Sequence, residues 1–504
     1  MRVKDLRDML EGCRIIGPDE VEINDISCDS RSELHGGSLF AAIEGETEDG
    51  FSYIGEALDK GARCVMAERP WKRSAGGGAI TEIIVPDVRE ALGVVSASLY
   101  GTPSEGLTLV GVTGTNGKTT VTYLLESIFR AAGFETGVIG TVNYRYKGAE
   151  VPAPNTTPGA PSLQRLLRDM TEAGVTHCAM EVSSHGLEQK RVAGCGFDVA
   201  VFTNLTHDHM DYHATVEDYF GAKTMLFTLL KAGGSSVVNI DDSWGARLAA
   251  SLPGLITTGM EEEADIHPRG LSVTPEGIDA LVKTPGGSVS VSTAMTGRFN
   301  VYNILSAIGV AHALGIETTV IERGISSLQG VPGRLQRISP PGAERPYSAY
   351  VDYAHTPDAL VRALSTLREM SNGRIILVFG CGGDRDKTKR AGMGEAAARL
   401  ADVSVLTSDN PRSEDPVEII RDIERGLDGI KKVKSGAADL SSSEKVYMVF
   451  VDRKEAIKEA VAVAGPGDTI LVAGKGHEDY QIRGMVRSHF DDALELERAM
   501  EGSR

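Results

Sequence analysis

The chain has 504 residues, 41% of them hydrophobic and 24% charged, which is the composition of an ordinary globular protein. At roughly 150 residues per domain, this length predicts about three domains. A formal net charge of −18, from 52 basic and 70 acidic side chains, opposes non-specific binding to nucleic acid, whose phosphates demand a basic face. No run approaches the ~18 uninterrupted apolar residues of a membrane-spanning helix. Met1 to Asp8 mixes charges of both signs where an export signal would be apolar, so the expected location is the cytoplasm. Six cysteines (Cys13, Cys28, Cys64, Cys178, Cys195 and Cys381) show no Cys-x-x-Cys spacing, which predicts reduced, mostly buried thiols rather than disulfides or a zinc site.

Residues 1–104 carry short apolar runs, Leu39-Phe40-Ala41-Ala42-Ile43 and Ile83-Ile84-Val85 among them, and read as a small α/β domain. Gly101-Thr102-Pro103-Ser104-Glu105-Gly106 reads as a linker. A second domain, 105–332, opens with a strand from Leu107 to Val112 and a glycine-rich turn. A helix follows, with Val121, Leu124, Leu125, Ile128, Phe129 and Ala132 on one face and Gly133 as its stop. Strand and helix alternate to about Gln329, including a helix from Val301 to Leu314, and Gly330-Val331-Pro332-Gly333 reads as a hinge. In the third domain, 333–504, strands from Ala349 to Asp352, Ile375 to Phe379, Val403 to Thr407, Val446 to Val451 and Thr469 to Val472 alternate with helical patterns. The expected fold class is thus α/β in three domains, the central one of P-loop type and the last a mostly parallel, Rossmann-like sheet. Gly380-Cys381-Gly382-Gly383 lacks the Gly-x-Gly-x-x-Gly order and predicts a tight turn, not a dinucleotide site.

Gly114-Thr115-Asn116-Gly117-Lys118-Thr119-Thr120 sits where a strand hands over to a helix, so backbone N–H groups and the helix N-terminus can converge on phosphate oxygens. Lys118 would neutralise the outer phosphates and Thr119 would offer a hydroxyl to magnesium. The general P-loop pattern fails by one residue, because Val112 stands where glycine belongs and Gly111 lies one earlier.

That spelling of the loop resembles the Mur ligases and the folylpolyglutamate synthetases. The likeness continues in chain order through Asn155-Thr156-Thr157-Pro158-Gly159, Met180 to Leu187, Asn204 to His213, Gly380 to Arg390, Asp409-Asn410-Pro411-Arg412 and Gly474-Lys475-Gly476-His477-Glu478. The resemblance implies an ATP-dependent ligase of cell-wall peptidoglycan synthesis, in which a substrate carboxylate becomes an acyl phosphate and an incoming amine converts it to an amide. It implies Lys118, Lys223 and His209 as catalytic groups, and magnesium held by Thr119, Glu181, His209 and a Lys223 carbamylated by carbon dioxide. Taken alone, Glu181 would be a surface carboxylate and Lys223 a solvated lysine. The cluster from His207 to His213 resembles a transition-metal site, but the ion that accompanies a P-loop is hard and oxygen-loving.

By the same likeness ATP would lie on Gly114 to Thr120, with Asn300 and Asn303 near the adenine and Arg334, Asp352 and His355 on phosphate and ribose. A UDP-linked muramoyl dipeptide would lie on Cys28, Ser30, Glu46, Thr47, Glu48, Asn155, Thr156, Thr157, Ser183, Gln189 and Arg191. Diaminopimelate differs from lysine by a second carboxylate, and a guanidinium is best shaped to accept it through two parallel hydrogen bonds. Arg412, in the form seen in diaminopimelate-adding relatives, supplies one, with Arg385, Asp409, Asn410, Pro411, Gly474 and Glu478 completing the pocket. Small-molecule substrates, no nucleic acid, no membrane insertion and a monomer are expected. The competing readings are a lysine-adding Mur ligase, a folylpolyglutamate-synthetase-like ligase, and a nucleotide-driven switch that makes no bond.

Overall fold

The computed structural model describes residues 1–45, 48–71, 80–206, 212–252, 254–340, 345–434 and 444–502. Among these residues the chain forms sheets of five, eight, three, seven and two strands. Contacts gather them into two compact units. The first comprises Met1–His267, Thr284–Gly286 and Leu305–Gly324, and the second Pro268–Lys283, Gly287–Ile304 and Ile325–Arg504.

In the first unit the five-stranded sheet runs in the order Arg14–Ile16, Thr81–Ile84, Cys64–Ala67, Ser38–Ala41 and Asp25–Ser27, parallel except for its first pair. Its neighbour has eight strands in the order Ile256–Thr258, Leu230–Asn239, Phe197–Phe202, Thr108–Thr113, His177–Glu181, Thr136–Ile139, Asn143–Tyr146 and Ala149–Pro152. The first six are parallel and the last two form an antiparallel edge hairpin. Thr108–Thr113 lies between strands reached by opposite crossovers, and the crevice at such a switch point is where α/β sheets place ligands. Leu109, Val110 and Val112 are fully buried, the continuous apolar run of a strand covered on both faces.

The helix Lys118–Ala131 follows directly, and its predicted stripe of Val121, Leu124, Leu125, Ile128 and Phe129 is fully buried. Each such side chain contributes about 1.5–3 kcal/mol relative to exposure, so the packed stripe fixes where the helix begins. Gly133 follows in the left-handed conformation, φ 84°, as the stop signal predicts.

The sheet of the second unit runs Gln336–Arg337, Ser348–Asp352, Thr469–Ala473, Ile375–Phe379, Val403–Leu406, Val446–Val449 and Lys431–Lys432. Only the first pairing is antiparallel. The strands read from sequence are all present to within two residues. The hairpin Tyr480–Arg483 with Val486–His489 escaped that reading, since its exposed second strand offers no apolar alternation. Four of the six cysteines are buried and none is bridged. Among the described residues no helix is long and apolar enough to cross a membrane.

Arg453 and Asp492 are both completely buried and paired at 2.6 Å, and Arg453 also donates to the Ala473 carbonyl at 2.9 Å, at the end of the strand Thr469–Ala473. Replacing Arg453 by Met strands a carboxylate in the interior, which costs about 3–5 kcal/mol. A urea titration of Arg453→Met should therefore show a clearly lowered midpoint, and an unchanged midpoint would mean that Asp492 finds another partner.

Candidate functional site

Three strand ends of the first unit meet at the crevice. The turn after Thr108–Thr113 contains Gly114 at φ 146° and Gly117 at φ 89°, both in the region that favours glycine. A Cβ on Gly114 would come within 1.9 Å of Thr203 Oγ1, so the turn can close against the neighbouring strand only without one. The loop is staked to that strand end. Thr115 N–H donates to the Asn204 carbonyl at 2.8 Å, Asn116 N–H to Asn204 Oδ1 at 3.0 Å, and Thr203 Oγ1 to the Asn116 carbonyl at 2.6 Å. Lys118 Nζ donates to the Gly114 carbonyl at 2.8 Å and the Thr115 carbonyl at 2.9 Å. Lys223, also buried, reaches the same Gly114 carbonyl at 2.9 Å from the helix Val216–Thr224, its ammonium 4.3 Å from the centre of the Tyr219 ring.

Glu181 ends the strand His177–Glu181 and is 1% exposed. Its Oε1 accepts the Thr141 N–H and its Oε2 the Thr141 hydroxyl, both at 2.9 Å. Among the described residues no basic side chain pairs with it, and a buried carboxylate with neutral donors alone suits a cation. As an oxygen donor, Glu181 therefore fits a hard ion such as magnesium. His209, Glu46 and Thr47 lie outside the described residues, as do His207 and Asp208. Among the described residues no group of three His, Cys, Asp or Glu side chains could hold a metal ion.

Beside Glu181, Thr157 Oγ1 donates to the Glu181 carbonyl at 3.0 Å and lies 3.1 Å from Ser183 Oγ, whose own N–H it accepts at 3.0 Å. Thr156 Oγ1 meets Thr141 Oγ1 at 3.0 Å. Arg191 donates to the Thr157 carbonyl at 2.9 Å and to Gln189 Oε1 at 2.7 Å, and Gln189 donates to the Tyr212 hydroxyl at 3.3 Å. The Asn155 carbonyl accepts from the Tyr144 hydroxyl. A cavity of about 720 Å³ opens here, lined by Cys28, Glu44, Arg89, Glu188, Gln189 and Tyr212 among others. Among the described residues, Cys28 is its one expected residue from the first hundred positions. Ser30 is buried on Glu56 instead, at 3.1 Å, and Glu48 is exposed. Arg89, Glu188 and Tyr212 were not singled out in the sequence, since each reads as a surface residue until the fold brings it to the cavity wall.

In the second unit every expected residue from Asp352 onward sits at the C-terminal ends of the parallel strands. Asp352 accepts the Leu335 N–H at 2.7 Å and the Ala354 N–H at 2.8 Å, and burial raises its carboxyl above the usual range. Arg334 stacks 4.7 Å from the Tyr353 ring centre. His355 lies 2.8 Å from the Tyr353 carbonyl, and burial together with the charge of Lys389 holds its ring below the ordinary imidazole range. Asn300 and Asn303 are buried, with Asn300 donating to the Thr296 carbonyl at 2.7 Å and Asn303 to Asn300 Oδ1 at 3.0 Å. Their amides are thus engaged with the start of the helix Arg298–Ala313.

Arg412 takes a left-handed backbone, φ 50°, stored between two loops. Its N–H donates to the Ile482 carbonyl at 3.1 Å and its guanidinium to the Gly383 carbonyl at 2.7 Å. A Cβ on Gly383 would meet the Pro411 carbonyl at 1.9 Å, so this glycine lets the turn that carries Arg385 close on the loop that carries Arg412. Arg385 itself is exposed. Asn410 donates to Glu478 Oε2 at 2.8 Å, and Gly474, at φ 117°, faces Asp409. One residue of this cluster carries no role in the sequence reading although it stands inside a quoted motif: Lys475, fully buried.

Two sequence models match the chain, the Mur ligase middle domain over residues 112–311 and the Mur ligase glutamate ligase domain over residues 333–476. The UDP-N-acetylmuramoyl-L-alanyl-D-glutamate–2,6-diaminopimelate ligase of Geobacter metallireducens is 43% identical over 508 residues, covering 99% of this chain and 98% of the relative. A solved structure of a ligase with that name is 34% identical, with a TM-score of 0.68 and 95% of each chain covered. The Thermotoga maritima MurF ligase, solved in complex with ADP, shares the fold at 18% identity, TM-score 0.60, over 96% of this chain and 98% of that one.

A Cβ on Gly140 would lie 2.3 Å from Glu181 Oε1. Gly140→Ala should push that carboxylate aside and weaken magnesium affinity, titrated with ATP present, about 10- to 100-fold, the usual cost of disturbing a ligand's support. Unchanged affinity would remove Glu181 from the metal site.

Proposed function

The chain belongs to the Mur ligase family, and from that membership we propose that it joins meso-diaminopimelate to the D-glutamyl carboxylate of UDP-N-acetylmuramoyl-L-alanyl-D-glutamate, with ATP converted to ADP and phosphate. The observation that carries this reading is identity of 43% along essentially the whole of both chains, with Arg412 among the strand-end residues. Domains at 1–104, 105–332 and 333–504 are part of the proposal, as are a cytoplasmic location and a monomeric state.

The turn Gly114–Thr120 takes the phosphates. The Thr115 and Asn116 N–H groups are taken by Asn204, so the positive end of the helix Lys118–Ala131 faces the anion, and Lys118 exchanges loop carbonyls for phosphate oxygens. Magnesium, held by Thr119, Glu181 and His209, would supply positive charge at the oxygens where negative charge accumulates. Carbamylation would turn Lys223 from cation to anion beside the Gly114 carbonyl, making it a further oxygen ligand there. Thr157, Ser183, Gln189 and Arg191 form one hydrogen-bonded group suited to the muramoyl dipeptide, and Arg191 contributes the charge that offsets the D-glutamyl carboxylate.

The carboxylate attacks the γ-phosphorus, the bond to the β-phosphate oxygen breaks, and ADP departs. The amine of diaminopimelate then attacks the acyl carbon, the acyl C–O bond breaks, and phosphate leaves while the amine loses its proton. In the second unit Arg412 and Arg385 are suited to the carboxylate of the end that does not react, and Glu478 with the Gly474 carbonyl to its ammonium. Asn300, Asn303, Arg334, Asp352 and His355 belong to the nucleotide in this reading.

The assay is ADP release with the UDP-linked dipeptide, ATP, magnesium and either meso-diaminopimelate or lysine. Turnover with diaminopimelate is expected; turnover with lysine alone would overturn the specificity, and no turnover with any amine would favour a nucleotide switch. Arg412→Ala should raise the KM for diaminopimelate at least about 30-fold, the equivalent of ~2 kcal/mol for an unmet carboxylate, while the KM for ATP holds. Lys223→Ala should abolish amide formation, and bicarbonate should stimulate only the enzyme that keeps the lysine.

A further inference from the structure

Lys475 is completely buried on the segment that follows the strand Thr469–Ala473. Its ammonium donates to the Tyr480 carbonyl at 2.7 Å and to Asn410 Oδ1 at 3.1 Å, and it pairs as a counter-ion with Asp409 Oδ1 at 3.1 Å. Glu478 Oε2 lies 4.0 Å away. Asn410 accepts from Lys475 and from the Ile482 N–H, at 2.9 Å, through its oxygen and donates to Glu478 through its nitrogen, so the lysine shares with that N–H in setting which way the amide points. A lysine so enclosed cannot touch a substrate, yet it stands between the two carboxylates of the pocket.

The charges can be counted. Asp409 and Glu478 carry two negative charges and Lys475 one positive, which leaves one negative charge for an ammonium, beside the positive charges of Arg412 and the exposed Arg385 for a carboxylate. That is the complement of a zwitterionic amino-acid end, one ammonium and one carboxylate. We propose that Lys475 is a positioning residue for the amino-acid substrate, cancelling Asp409 so that Glu478 stays ionised and, through Asn410, correctly aimed at the substrate ammonium. The proposal rests on the reading that this unit binds the amino acid.

The surrounding charges agree with it. Burial and then Asp409 push the Glu478 carboxyl above its usual range, while Lys475, the Asn410 hydrogen bond and Arg412 pull it back. Burial raises Asp409 too, but Lys475, Arg453 and His355 together bring it below the usual range. Arg453 is already committed to Asp492. Tyr353 and Tyr480, the other titratable groups facing Glu478, are both raised by burial, Tyr353 to about 12, and stay neutral.

Without Lys475, which pulls the Glu478 carboxyl down, Glu478 would hold its proton to higher pH than in the wild type and would regain its charge as pH rises. The test is steady-state kinetics of Lys475→Met against the wild type from about pH 6.5 to about pH 9. The KM for diaminopimelate should rise about tenfold or more at the lower pH and the ratio to wild type should fall toward the upper one, with the KM for ATP within about twofold. A purely structural role would not give that pH dependence. Lys475→Met with Asp409→Asn removes both charges of the pair, leaves none buried alone, and should recover most of the lost affinity. An unchanged or pH-independent KM in the single variant overturns the proposal. So does a double variant as impaired as Glu478→Gln, the deciding result if the single variant does not fold. Failure of the underlying reading looks different, because the wild type itself would then not turn over diaminopimelate.

Discussion

The ammonium groups of Lys118 and Lys223 converge on one backbone carbonyl, that of Gly114, and much of the first unit serves to hold that carbonyl where it is. A chain with a net charge of −18 repels anions at a distance, so a polyphosphate can be bound only where positive charge is gathered locally and shielded from the rest. Strand-end hydrogen bonds from Thr203 and Asn204 fix the loop, left-handed glycines let it turn, and the helix that follows aims its positive end at the same point. Glu181 stands on the next strand, in register with Val112. Fold and site are here one constraint: three parallel strands must end together.

The second unit solves a related problem with buried ion pairs. Arg390 is held by Glu414 and Asp422, Arg453 by Asp492, and Lys475 by Asp409. Arg390–Asp422 and Arg453–Asp492 each tie two helices together, and the other pairs tie strand-end loops to one another or to a helix. Glu414 is drawn down to about 2 chiefly by its hydrogen bond to Arg390, and it accepts the Asp384 N–H as well, which anchors the turn carrying Arg385. Buried pairs of this kind add little net stability but fix a unique geometry. With those cations neutralised in place, Arg412 carries the charge suited to a ligand carboxylate.

What the sequence disclosed and what it hid follow from range. The strand, glycine turn and helix from residue 107 to 133 were legible because every signal, apolar period, glycine and lysine, is local. The parallel sheet of the second unit was legible for the same reason. Lys475 was not, because a lone lysine ordinarily lies in water, and its burial depends on Asn410, 65 positions away. The same holds for Gly140, whose lack of a side chain matters only because Glu181, 41 positions on, packs against it. Ser30 went the other way: a hydroxyl in the expected segment turned inward to Glu56. The exposed second strand of the Tyr480–His489 hairpin gave no period to read, although the Ile482 carbonyl of the first is what holds the Arg412 backbone.

The central claim is that the loop around Gly114 and Lys118 delivers a phosphoryl group to a substrate carboxylate, which an amine then displaces. Isotope transfer tests it most directly. With ¹⁸O in the D-glutamyl side-chain carboxylate of the UDP-linked dipeptide and meso-diaminopimelate as the amine, the account predicts one labelled oxygen in the released inorganic phosphate for each amide formed. Amide formation with unlabelled phosphate, or phosphate released without any amide, would contradict it.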